Sequence, residues 1–129
     1  VNMASFITPV SASYLAGGTI VEGHAVKMYT TDGQVVECTA NTDPVIGIAL
    51  NSASSGETVE VAHPGGGARA KLGETVAIGL SLVPHTDGTL VKANASGDMI
   101  IAQLLDNSGT SGDMVEVQVY KALATAADV

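Results

Sequence analysis

The chain has 129 residues, 46% hydrophobic and 3% aromatic, with five basic against thirteen acidic side chains and a net charge of −8. This length favours one domain able to bury a core without disulfide or metal, and the acidic balance excludes phosphate-gripping nucleic-acid binding and anionic membrane surfaces. With no Trp, one Phe and one Cys, the core must be Val, Ile, Leu and Ala, no intrachain disulfide exists, and self-association would offset the missing aromatic anchors.

Residues 1–16 read as an extended N-terminal arm. They carry Phe6, Ile7, Pro9, Val10, Tyr14 and Leu15 without helical spacing, and Pro9 excludes an ordinary helix interior. Residues 1–10 lack a basic region followed by an apolar one, so no signal peptide is expected. No apolar run is long enough to span a bilayer as a helix. After Gly17-Gly18 the chain reads as short strands. Val26 and Met28 alternate with Lys27 and Tyr29, Asp32-Gly33 is a hairpin dipeptide, and Val36 and Cys38 then oppose Glu37 and Thr39. Pro44 opens another strand run over 45–50, residues 51–56 form a polar loop, and Val59, Val61 and His63 share a face. Pro64-Gly65-Gly66-Gly67 breaks the chain, after which Ala68, Ala70 and Leu72 alternate with Arg69 and Lys71. Asp87-Gly88 is a second hairpin signal. The apolar run 99–105 fits helix or strand by periodicity, and its turn-rich flanks select strand. Val115, Val117 and Val119 against Glu116, Gln118 and Tyr120 give the clearest one-face-buried strand. Residues 122–129 read as a C-terminal tail.

The order of signals occurs twice. Thr31-Asp32-Gly33, Val35-Val36 and Ser55-Gly56-Glu57-Thr58-Val59-Glu60-Val61 return as Thr86-Asp87-Gly88, Leu90-Val91 and Ser111-Gly112-Asp113-Met114-Val115-Glu116-Val117. Many short strands with regular turns indicate an all-β fold, a compact small β-barrel or β-sandwich with internal pseudo-duplication. The expected organisation is the arm 1–16, one β domain over 17–121 built of halves 17–63 and 72–121 sharing a core, and the tail.

What repeats is turn chemistry; no nucleophile, base or metal ligand repeats with it. His24, His63 and His85 lack the spacing of a metal site. Asp32 and Asp87 precede hairpin glycines, where Asp has a structural purpose, and Glu60 and Glu116 fall on polar strand faces. Cys38 falls on an apolar face, where it acts as a small hydrophobe. Gly65-Gly66-Gly67 is followed by a strand pattern with Arg69 and Lys71, not by the Gly-Lys-Ser/Thr and helix of a P-loop. No catalytic residue, cofactor or metal is expected.

The order Gly23 to Val26, Thr31 to Gly33, Ile46 to Ala49, Ser55 to Val61, Gly79 to Val83 and Gly112 to Val117 resembles the small capsid cement, or decoration, proteins of tailed bacteriophages, across residues 17–121. The resemblance implies a non-enzymatic homotrimer, made in the bacterial cytoplasm. It would bind the major capsid protein on the outer surface of the phage head and hold neighbouring subunits together. The family supplies no motif for the arm. Its apolar residues Phe6, Ile7, Pro9, Val10 and Tyr14 are the expected capsid contacts because they lie outside the repeat. Two other readings remain open from the residues: a carbohydrate- or receptor-binding module using its few aromatics, and a small β-barrel hydrolase with His63 or His85 as base.

Overall fold

A computed structural model describes residues 10–105 and 108–125. Every regular element among them is a strand. The first half contributes β1 (Ser11–Ala16), β2 (Ala25–Met28), β3 (Gln34–Glu37), β4 (Val45–Ala49) and β5 (Thr58–Ala62). The second contributes β6 (Gly67–Lys71), β7 (Ser81–Pro84), β8 (Leu90–Lys92), β9 (Met99–Leu104) and β10 (Met114–Leu123). The expected all-β class is therefore found. The run whose periodicity fitted either state is strand β9.

The first five strands form a closed barrel in the order β1-β3-β2-β4-β5. β1 closes it by pairing antiparallel with β5 and parallel with β3, through Leu15↔Gln34 and Ala16↔Val35. The other five follow the same circuit as a sheet, β6-β10-β9-β7-β8. Its two edges meet at one parallel bridge, Leu72↔Leu90. The turns are duplicated as well. Gly33 and Gly88 adopt φ of 77° and 86° in the two hairpins, a conformation that costs glycine nothing. Asp43 accepts from the amides of Thr39 and Ala40, and Asp98 from those of Asn94 and Ala95.

The first barrel is filled by aliphatic residues, Ala16, Ile20, Val26, Val35, Ala49, Ala53, Val59 and Val61. A larger cluster combines Leu72, Leu82, Leu90, Leu104, Val115 and Val117 of the second half with Ala25, Cys38, Val45, Ile48 and Ala62 of the first. Each buried Leu or Ile contributes about 1.5–3 kcal/mol, so this cluster binds the halves together. Polar contacts add to it. Ala25 N donates to Gly88 O at 2.8 Å and Lys71 N to Gly23 O at 3.0 Å. The Asn41 side-chain amide donates to the buried Asp98 at 2.6 Å.

Four details differ from the sequence reading. Residues 11–16, grouped there with the arm, are β1, because the barrel needs a fifth stave. The second half begins at Gly67 with β6, not at residue 72. β10 runs through Leu123, and Ala124 is buried beside Val83 and Ile100, so residues 122–124 are part of the fold. In β3 it is Val35, not Val36, that enters the barrel, and Met28 is exposed.

Candidate functional site

The three imidazoles do not converge. His24 is buried, and its Nδ1 lies 2.8 Å from Glu37 Oε2, an oxygen that also accepts from Val21 N. His63 Nε2 meets the Tyr14 hydroxyl at 2.8 Å. His85 stands at the second hairpin, its amide donating to Thr89 O at 2.8 Å. Among the described residues no three His, Cys, Asp or Glu side chains gather as a metal site.

The carboxylates are occupied by structure. Asp87 accepts from the hydroxyl and amide of Thr89, and the hydroxyl above all holds its carboxyl below the ordinary value. Glu60 accepts from Ser13 at 2.6 Å and Ser11 at 2.9 Å. Glu116 lies on the open face opposite Arg69. Burial, reinforced by the nearby carboxylates of Asp43 and Glu37, pushes the Cys38 thiol up to about 12. That disarms it as a nucleophile at neutral pH. The glycine run does not present a row of amides to an anion. Gly65 N donates to Val119 O, Gly66 N points to His63 O, and Val119 N donates to Gly66 O.

Of the proposed capsid contacts, Phe6, Ile7 and Pro9 lie outside the described residues. Val10 is exposed beside Gly65 and Gly66, and its carbonyl accepts from His63 N at 2.7 Å. Tyr14 is half-buried in β1 against the first barrel's core, with its hydroxyl engaged by His63. It is a stave residue as well as a candidate contact.

The surface holds shallow clefts at matching places in the two halves. One of about 480 Å3 is lined by Lys27, Met28, Tyr29, Val36, Thr39 and Pro44. Its counterpart, about 250 Å3, is lined by Val83, Pro84, His85, Val91, Asn94 and Asn41. Neither joins a nucleophile to a base. The second is the smaller of the two; beside it, Tyr120, Ala122 and Ala124 pack against the cluster that contains Val83 and Ile100. Exposed large apolar side chains, among them Leu15, Met28, Tyr29, Ile78, Leu80 and Leu105, are the more informative feature. Such patches mark contact surfaces.

No protein family and no curated protein matches this sequence. Among solved structures there is a match to the crystal structure of the head fiber gp8.5 N base in bacteriophage phi29. The two share a fold. The TM-score is 0.70 at 15% identity, over 92% of this chain and 99% of the phi29 chain. The likeness thus takes in essentially the whole phi29 base and both halves of this protein, not a single barrel.

Proposed function

We propose that this chain is a structural, non-enzymatic component of a bacteriophage virion, a homotrimer seated on the outer surface of the head. It would contact the major capsid protein and stabilise adjacent subunits, after synthesis in the host cytoplasm. The observation that carries this reading is the fold shared with a phage head-fibre base over nearly the full length of both chains. The acidic surface suits a protein that stays off packaged DNA.

Attachment is assigned to residues 1–10, with Phe6, Ile7, Pro9 and Val10 as the contacts and Tyr14 anchoring the segment to the barrel through His63. A trimer would present three such segments together, so weak single contacts become firm through effective concentration. The test is co-sedimentation of purified protein with heads of its phage that lack it, followed by image reconstruction. Saturable binding at fixed outer positions is the expected result. Heads that never take up the protein would refute the proposal.

A further inference from the structure

A cleft of about 520 Å3 lies across the seam between the halves, lined by Leu50, Ala68, Leu105 and Val117 with Arg69 and Glu116 beside them. Leu50 and Leu105 hold the same place in the two circuits: Leu50 N donates to Glu60 O, and Leu105 N to Glu116 O. Val117 belongs to the shared core, and Leu50 and Ala68 are partly buried against it. Leu105 is 54% exposed. The cleft is therefore an opening onto the shared core with one large apolar side chain left uncovered. Its volume falls within the roughly 300–1,000 Å3 of clefts that hold ligands.

The place where the chain enters the described residues bears on what covers it. Gly67 and Gln118, register partners, also line the cleft. Gln118 Nε2 donates to the carbonyl of the neighbouring Gly66 at 3.0 Å. A Cβ on Gly66 would lie 3.0 Å from the Val10 amide nitrogen. The chain thus arrives at Val10 one residue from the cleft. Leu105 meets Glu116, two positions along β10 from Gln118, or about 7 Å. Phe6, four residues before Val10, reaches up to about 14 Å in extended chain. The remaining undescribed segments do not suit the cleft. Residues 106–107 are Asp and Asn. Residues 126–129 leave from the far end of β10, where Leu123 is already about 17 Å from Gln118, more than the roughly 14 Å that four residues span. Charge agrees with this choice. Residues 1–9 carry no charged side chain, and Arg69 and Glu116 are register partners, so a neutral occupant meets one charge of each sign.

We infer that the occupant of this cleft in the free protein is the chain's own segment 1–9, with Phe6 and Ile7 set against Leu50, Ala68 and Leu105. Apolar burial offsets the entropy of ordering a few residues. The short tether at Val10 presents the segment at an effective concentration on the order of millimolar, which a second copy would match only at millimolar protein. The contact does not rest on the capsid reading; in that reading the head takes the same segment over from the cleft.

Phe6 is the only phenylalanine, so biosynthetic incorporation of 4-fluorophenylalanine labels that position alone. Fluorine NMR of the full chain should show its signal displaced from the position it takes in urea. Leu105→Asp should return the signal to the unfolded position while circular dichroism shows a native melt, since the replaced side chain is exposed. A second measurement does not need that variant: removing residues 1–9 should move the backbone amide signals of Leu50, Ala68, Leu105 and Val117. A wild-type signal already at the unfolded position, a displaced signal that Leu105→Asp leaves in place, or amide changes confined to His63, Gly65 and Gly66 would overturn the contact. So would a labelled Leu105→Asp chain that regains the displaced signal when refolded with excess unlabelled wild type, because the segment would then sit in a neighbouring copy. Head co-sedimentation tests the capsid reading separately, and its failure leaves this contact standing.

Discussion

At Gly47 the backbone leaves no room for a side chain. A Cβ there would run into the carbonyl oxygen of Ala62 and come within 2.8 Å of Val61 Cγ1. Both atoms belong to β5, with which β4 pairs through Ile48↔Ala62 and Ala49↔Val61. Gly47→Ala should therefore cost about 3 kcal/mol, read as a lower urea midpoint with an unchanged slope. Two acids predict the pH response. Burial of Asp43 works against its charge, but the Thr39 and Ala40 amides and the Lys27 ammonium prevail and hold its carboxyl below the ordinary 3.8. The Thr89 hydroxyl does the same for Asp87. A depressed folded-state pKa means that the unfolded chain takes up protons first as pH falls. The stabilisation from these two acids should be complete above pH 5, then fade as pH drops through 3.8 and below. Urea melts across that range check it, and Asp43→Asn should show a shallower acid limb.

The elements tell where truncation is tolerated. A chain lacking residues 1–9 keeps β1, the Val10 carbonyl bond to His63 and the Tyr14 contact. It should melt within a few degrees of the full chain and yet lose head binding. Deleting 1–16 takes away the stave that joins β3 to β5, and should abolish the cooperative melt of the first half. The sequence could not place this boundary, because Ser11, Ser13 and Leu15 face outward and only Ala16 in β1 is fully buried. β3 shows the same limit in another form. Adjacent Val35 and Val36 leave two phases open to a period-two pattern, and the choice between them turns every side chain over. In the structure Val36 lies outside the barrel near Gly17 while Val35 enters it. The exposure of Tyr29, Ile78 and Leu80 was hidden for a similar reason. Nothing local distinguishes an apolar side chain that reaches a core from one that does not.

At the scale of the molecule, the halves are alike in circuit and unequal in independence. The first barrel has its own interior, but its outer residues Ala25, Val45 and Ile48 are buried only because the second half lies against them. The second half closes through a single bridge. Expressed separately, fragments 10–63 and 64–125 should both lack dispersed amide spectra, and mixing them should restore native signals, because the shared cluster is recovered. The duplicated turns, most of the strand segments and the aliphatic core were determined by the sequence alone, since each depends on residues close together in the chain. Tertiary structure decided the parallel closure of β1 on β3, the face each valine presents, the limits of the halves and which apolar side chains are left in water. These depend on strands far apart in the chain meeting, and burial belongs to the meeting and not to the residue.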